Sequence, residues 1–414
     1  MWIKALSCFL SKFVHHGSLN VSFPDGKERR YGEPSAEPIN IHLSEPSLPR
    51  RILLNPELAL GEAYMDGSLT IENDDLYGFL ELLIMNQRHQ PNLLHYRWLA
   101  IFRVAIRWFT QLNRIQKSRK NVAHHYDLSG ELYDLFLDAD RQYSCGYYES
   151  LTDTLETAQE NKKSLIAKKL LLSPEHKVLD IGSGWGGLSL FLAQSFGAKV
   201  TGVTLSQEQF NISRARAANQ HLEADVQFLL QDYRDVTGQF DRIVSVGMFE
   251  HVGVPHHQEY FETLSSLLKP DGVALVHTIG RTDGSGATNP WIAKHIFPGG
   301  YSPALSEMML AIEKSGLCVT DIEVWRLHYA KTLRDWRSRF EVNLDRASQL
   351  YDDRFCRMWR FYLVTSELAF QLNDHVVFQV QLAKKQDSVP LTREYLADKV
   401  SATMAHDMET IPDA

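Results

Sequence analysis

Only four cysteines occur in the 414 residues, at positions 8, 145, 318 and 356, and there is no CxxC. Such spacing argues against a disulfide framework or a thiolate zinc site and suits a reducing cytoplasm. No apolar run reaches the roughly 18 residues that a membrane-spanning helix needs. An HExxH is also missing. His251, His256 and His257 lie close together, but Pro255 breaks any helix there, so no metal is expected. Repeats and low-complexity tracts are absent. The opening MWIKALSCFLSKFVHHGSL has too short an apolar run for a signal peptide. Lys12 interrupts it and no small-residue cleavage site follows. Trp2, Leu6, Phe9, Leu10 and Phe13 share a helical face instead.

Acidic residues are missing from one long interval. Between Glu81 and Asp127 stand Arg88, Arg97, Arg103, Arg107, Arg114, Lys117, Arg119 and Lys120, a local +8 in a chain of net charge −8, which leaves the remainder at −16. Trp98, Ile101, Phe102, Ala105, Trp108 and Phe109 recur there at helical spacing. A basic amphipathic helix with aromatics suits an anionic membrane surface, and equally a helix packed between domains. Nucleic acid is not expected as a partner, because the acidic remainder repels phosphate. Hydrophobic residues at 44% and charged residues at 23% are ordinary for a soluble globular enzyme.

Four regions follow: 1–90, 91–120 as the basic linker helix, 121–390, and a polar tail, 391–414. In the first, turn signals at PDG (24–26), GEPSAEP and EPSLPR punctuate the chain, and LNPELALGEAYMDGSLTIEN reads as a helix then a turn. In the third, strands and helices alternate. KVLDIGS (177–183), AKVTGVTLS (198–206), DVQFLLQDY (225–233), FDRIVSVG (240–247) and GVALVHTIG (272–280, introduced by a KPDG turn) read as strands. LCVTDIEVWRLH and HVVFQVQLAKK supply two more. The pattern predicts an α/β fold with a mostly parallel seven-stranded sheet, plus a smaller N-terminal α+β domain.

VLDIGSGWGG is a strand, a glycine turn and a helix start. Gly182 and Gly184 let the backbone turn tightly and approach a ligand, and the helix N-terminus offers unpaired N–H groups. The run also satisfies GxGxxG, which by itself does not separate a nicotinamide dinucleotide from S-adenosylmethionine. Asp180, two residues before the first glycine, suits a cationic amino-acid ligand. The second strand ends in Thr204-Leu205-Ser206, without the acid that a nicotinamide fold places on the ribose.

The stretches AHHYDLSGELYDLFLD, QYSCGYY, VLDIGSGWGGL, GVTLSQEQ, LLQDYRD, FDRIVSVGMFEHVG, HTIGR, NPWIAKHIFPGG and HYAKTLRDWRSRF run in order from about 121 to 340, with LAKKQDSVPLTREYL beyond. With them the chain resembles the cyclopropane-fatty-acyl-phospholipid synthases, relatives of the mycolic acid cyclopropane synthases. The resemblance implies a Rossmann-like class I methyltransferase that transfers a methylene from S-adenosylmethionine to a cis double bond of membrane phospholipid acyl chains. It implies that Tyr143 and Ser144 touch the cofactor and that Gly182 and Gly184 hold its amino-acid end. Thr204, Leu205, Ser206 and Gln209 then lie along the ribose, and Asp232 and Tyr233 flank the adenine. It also implies a lipid-carrier-like N-terminal domain, seen in FPDG and ELALGEAYMDGSLTIEN, that grips lipid or forms a homodimer. The enzyme is then cytoplasmic, held peripherally at the inner face of the membrane.

The chemistry demands a dry apolar slot, negative charge beside a developing carbocation, and a base for one proton. Similarity to enzymes that hold a bicarbonate ion implies an anion pocket at Cys145, Glu250, His277, Ile279 and Tyr329. The N–H groups of Cys145 and Ile279, with His277 and Tyr329, are expected to donate to the ion, and Glu250 to accept the hydrogen that it carries. Cys145 is read as a small apolar residue that shapes the pocket, not as a nucleophile. Ser366 stands where related sequences commonly carry a cysteine, which argues against a covalent thiol there. A methyl-branch-forming fatty-acyl methyltransferase, a small-molecule methyltransferase and a non-catalytic lipid-binding protein stay open as alternatives.

Overall fold

A computed structural model describes residues 1–89 and 129–397. The basic stretch 91–120 and AHHYD therefore lie outside the described residues, as does the chain from 398 on. Residues 1–89 build a four-stranded sheet in the order β2-β1-β3-β4, with β1 Ser18–Ser22, β2 Glu28–Gly32, β3 Pro38–Leu43 and β4 Leu69–Ile71. The FPDG turn closes the β1–β2 hairpin, with the Gly26 N–H donating to the Phe23 carbonyl at 2.9 Å. The predicted helix in LNPELALGEAYMDG runs Pro56–Asp66 and ends on Gly67 in the left-handed region. The opening residues form the helix Trp2–Phe13, which buries Leu6 and Leu10.

The second sheet has seven strands in the order β10-β11-β9-β8-β5-β6-β7. They are β5 Lys177–Ile181, β6 Lys199–Thr204, β7 Val226–Leu230, β8 Phe240–Val246, β9 Leu268–Arg281, β10 Cys318–Trp325 and β11 His375–Ala383. All pairings are parallel except those of β11, which is antiparallel to both neighbours. The central strands are apolar because helices cover both faces: four of the five residues of β5 are buried. The strand order reverses at β5, between β8 and β6, which opens a crevice at the carboxyl ends of those strands.

Two expectations change. KPDG is not a turn ahead of β9 but part of it: pairing steps from Phe240↔Leu268 to Arg242↔Val273, so the extra residues are absorbed as a bulge. Residues 391–397 are not a free tail either. The Arg393 guanidinium pairs with Asp321, Tyr395 meets Gln381 at 3.3 Å, and the Lys168 ammonium donates to the Leu396 carbonyl at 3.1 Å.

The two units share one hydrophobic cluster. Trp291, buried in the helix Pro290–His295, lies over Gly61 and 4.7 Å from the Phe361 ring, and its indole N–H donates to Met65 Sδ at 3.2 Å. A Cβ at Gly61 lands 2.4 Å from the indole. An exposed helical Gly→Ala change stabilises by about 1 kcal/mol. Gly61→Ala is expected to reverse that sign and cost about 1–3 kcal/mol through overpacking, read as a lower midpoint in urea unfolding with earlier proteolytic release of the N-terminal unit.

Candidate functional site

The glycine loop turns the chain at the switch point. Gly182 (φ +82°) and Gly184 (φ +55°) both adopt the left-handed conformation, and a Cβ at Gly184 meets nothing within 4 Å, so its backbone faces open space. One cleft is lined by Tyr143, Ser144, Asp180, Gly182, Gly184, Thr204, Leu205, Gln209, Asp232 and Tyr233. Ser206 is the sequence-chosen residue outside that lining. It is buried, and its hydroxyl caps the helix Gln207–Asn219 by accepting the Gln209 N–H at 3.3 Å. Sequence reasoning missed Arg141, Gln142, Met248 and His251, which also line the cleft. Met248 was findable as the second residue beyond β8. Arg141 was not, because nothing in its sequence announces a non-glycine residue at φ +55°.

Asp180 is buried at the end of β5 and accepts the Ser189 hydroxyl at 2.7 Å; burial pushes its carboxyl up to about 6. A cationic ligand in the cleft would relieve that cost. Asp232 accepts both the backbone N–H and the guanidinium of Arg234, the latter at 2.8 Å, which fixes the start of the short 3₁₀ turn Tyr233–Asp235. An open glycine backbone, a buried unneutralised acid and a cleft between β5 and its neighbours fit an adenosylated amino-acid cation.

A strap, residues 138–145, forms one wall. Asp138 accepts the N–H groups of Asp140 (3.0 Å) and Gln142 (2.9 Å). The helix Leu155–Lys169 holds the strap from behind: Gln159 donates to the Ser144 carbonyl at 2.9 Å, and the buried Lys162 ammonium donates to Gln142 Oε1 (2.8 Å) and Ser144 Oγ (2.7 Å). Burial lowers Lys162 to about 8. The next residue, Cys145, is fully buried. Its thiol is pushed far above the ordinary range by desolvation and donates weakly to the Gly146 carbonyl at 3.3 Å, so no thiolate forms there.

Cys145 is carried beside the helix His328–Val342 through the Gly146 N–H, which donates to Thr332 Oγ1 at 3.0 Å. Tyr329, one turn earlier on that helix, packs its ring 5.8 Å from Trp336, which stacks on Tyr143 at 5.1 Å. His277, two residues before Ile279 on β9, is buried, 5.0 Å from the Trp325 ring. Burial, with the Lys162 and Lys169 charges, holds it well below the usual histidine range.

The expected donor role of Ile279 is changed by Glu250. The last pairing of β8 with β9 is Val246↔His277; then Gly247 (φ +68°) turns β8 away, donating its N–H to the His277 carbonyl at 2.9 Å. Farther along β9, the Ile279 N–H has lost its strand partner and donates to Glu250 Oε1 at 2.7 Å instead of facing open space. Glu250 Oε2 is buried and accepts no hydrogen bond of ordinary geometry, although the nearby Thr278 hydroxyl weakly favours the charged carboxylate. Burial outweighs the hydrogen bonding and pushes this carboxyl up to about 7. Among the described residues, no group of three or more His, Cys, Asp or Glu is arranged to hold a metal ion, and no helix is long and apolar enough to cross a membrane.

A family described as mycolic acid cyclopropane synthetase matches residues 113–380, and a domain of unknown function matches residues 6–90. The chain is 37% identical over 347 residues to the cyclopropane-fatty-acyl-phospholipid synthase of Escherichia coli K12, covering 84% of this chain and 88% of that one. It is 34% identical over 397 residues to a probable fatty acid methyltransferase of Pseudomonas putida, covering 92% and 96%. The crystal structure of mycolic acid cyclopropane synthase CmaA1, complexed with SAH and CTAB, superposes with a TM-score of 0.61 at 32% identity, over 64% of this chain and 97% of that one. With the glycine cleft at the switch point, these matches place the chain in the mycolic acid cyclopropane synthetase family, as an S-adenosylmethionine-dependent methyltransferase.

Proposed function

We propose that this enzyme cyclopropanates cis double bonds of phospholipid acyl chains, with a bound bicarbonate ion as the base. The observation that carries the reading is Glu250 Oε2, a buried carboxyl oxygen that accepts no hydrogen bond of ordinary geometry, close to where β9 outruns β8. Buried polar atoms without partners are rare, and at an active site such an atom points to a ligand.

Bound S-adenosylmethionine supplies an electrophilic methyl to the alkene, and the bicarbonate supplies the base for the proton whose loss closes the ring. The chain's own residues supply the setting. Tyr143 and Ser144 form the cofactor wall, with Ser144 fixed by Lys162. The aromatic packing of Tyr143, Trp336 and Tyr329 keeps water from a cation that water would capture as an alcohol. Glu250 accepts the hydrogen of the ion and so orients it and raises its basicity. His277, Tyr329 and the Cys145 N–H are assigned as donors to the ion, while the Ile279 N–H positions Glu250. The basic stretch 91–120 is assigned to the anionic membrane surface on charge and aromatic spacing.

Mass spectrometry of phospholipid acyl chains after incubation with S-adenosylmethionine is expected to show one added CH₂ that survives hydrogenation. An adduct that takes up hydrogen is a methyl-branched olefin and overturns ring closure. With bicarbonate held constant, kcat/KM is expected to rise with pH through about 7, as Glu250 becomes the carboxylate that can accept a hydrogen bond. Glu250→Gln should abolish that limb and lower kcat by about 100-fold or more.

Stability moves the other way. The raised Glu250 carboxyl keeps its proton in the native state at pH values where the unfolded chain, titrating near 4.5, has released it. Its contribution is whole below that value and is lost as pH rises through about 7. Glu250→Gln is therefore expected to melt at a higher temperature than the native protein at pH 8 and at the same temperature near pH 4. Charge reversal of Arg97, Arg103 and Arg107 to Glu is expected to release the protein from anionic vesicles in a co-sedimentation assay.

A further inference from the structure

Behind His277 lies a line of polar side chains that the chemistry above does not use. Gln379 of β11 is paired in register with His277 of β9 on one side and with Glu323 of β10 on the other. Residues directly opposite across strands project from the same face, so Glu323, Gln379 and His277 form a row across the sheet. The last turn of the helix Leu155–Lys169 lies against that row. Lys169, buried, donates to Gln379 Oε1 at 2.7 Å and pairs with Glu323. The helix end is itself pinned, since Gln381 Nε2 donates to the Lys169 carbonyl at 2.5 Å. On its far side the Gln379 amide meets His277 Nδ1 at 3.1 Å.

Hydrogen-bond chemistry allows one direction only. A lysine ammonium has donors and no acceptor, so the amide oxygen of Gln379 must face Lys169. Its NH₂ then faces His277 and can only donate, so Nδ1 must be the unprotonated nitrogen of the ring. The proton of a neutral imidazole is left on Nε2, the nitrogen away from Gln379.

We propose that Lys169 and Gln379 are positioning residues that fix His277 as its neutral Nε2–H tautomer, a permanent hydrogen-bond donor toward the reactive anion. This rests on the bicarbonate reading above, and it gives the histidine a task different from proton transfer. A neutral donor orients an oxyanion without competing with the substrate for the proton that the anion must take. Other charges act in the same direction. Lys162, seven residues before Lys169 on the same helix, adds a second positive charge that disfavours imidazolium, as does the burial of the ring. Burial lowers Lys169, and its pairing with Glu323 opposes that and favours the ammonium without a carboxylate touching the imidazole. Seen from the sequence, VHTIG and VVFQVQL carry no mark of this relation; it comes from the β9–β11 register.

Long-range ¹H–¹⁵N spectra of the histidine-labelled enzyme test the proposal, with the His277 signal assigned by its loss in His277→Asn. The expected result is a pyridine-like Nδ1 and a pyrrole-like Nε2, unchanged from pH 6 to pH 8. Gln379→Glu places an acceptor on both sides, and is expected to move the proton to Nδ1, raise the bicarbonate concentration for half-maximal activity and lower kcat by about 10- to 100-fold. Cofactor affinity should stay the same. Gln379→Met removes the donor without imposing the other tautomer; it should give a mixture of the two and an intermediate loss, and its melting curve reports whether the fold persists. A pyrrole-like Nδ1 in the native enzyme, or a Gln379→Glu variant that keeps the proton on Nε2, overturns the relay. An Nε2–H tautomer together with activity indifferent to bicarbonate overturns the anion reading and leaves the relay standing.

Discussion

The catalytic unit depends on a mismatch in strand length. Strand β9 continues past the point where β8 turns away at Gly247, and a backbone N–H in the protein interior is left without its ladder partner. Burying such a donor unpaired costs about 1–3 kcal/mol. Here a carboxylate takes it: Glu250, on the short turn that follows β8, accepts from Ile279. One vacancy in the sheet thus brings an ionisable group into a place where water does not neutralise it, and burial then raises its proton affinity. The proposed site follows from how these strands end, and crevices at the carboxyl ends of strands are often where ligands bind.

The helix Leu155–Lys169 plays the complementary part. Its first turn is capped by the Thr154 hydroxyl, and its buried face carries Gln159, Lys162 and Lys169 in place of a continuous apolar stripe. Buried lysines are costly unless each proton finds an acceptor. Lys162 finds two on the strap, and Lys169 finds Gln379 and Glu323. Both lysines therefore act as fixed struts. One holds Gln142 and Ser144 of the strap, and the other holds Gln379, which meets His277 across the sheet. They also supply positive potential in a region proposed to receive a negative ion, where low dielectric makes charge effective over several ångströms.

The N-terminal unit is joined to this arrangement by ordinary packing: an indole over a glycine, with arginines at the rim. Arg360 reaches Asp74, Glu341 and the Tyr64 hydroxyl, and Arg357 donates to the Met65 carbonyl at 2.8 Å. The union is substantial, since the helices Asp353–Gln371 and Pro56–Asp66 pack side by side within one hydrophobic cluster. The arrangement holds the first 89 residues against the catalytic unit, on the elements that also carry Tyr362, the hydrogen-bond partner of Tyr143 at 2.9 Å.

Much of this was legible in the chain itself. Apolar runs and glycine placement pointed to seven strands and to the cofactor turn at Gly182 and Gly184, because these features depend on residues near one another in sequence. Asp180 was also within reach, as an acid at the end of a strand; Tyr143, Ser144, Thr204, Leu205, Gln209, Asp232 and Tyr233 came with the family resemblance, and Tyr143 and Ser144 lie on the strap rather than at a strand end. What the chain could not state was pairing. That KPDG is absorbed within a strand, that the Ile279 N–H is claimed by Glu250, and that Gln379 stands opposite His277 are matters of register and contact between segments up to about a hundred residues apart. A sequence specifies which groups are available to donate and accept; only the folded sheet, by fixing which strand ends first and which residues face each other, decides which of them are left to do chemistry.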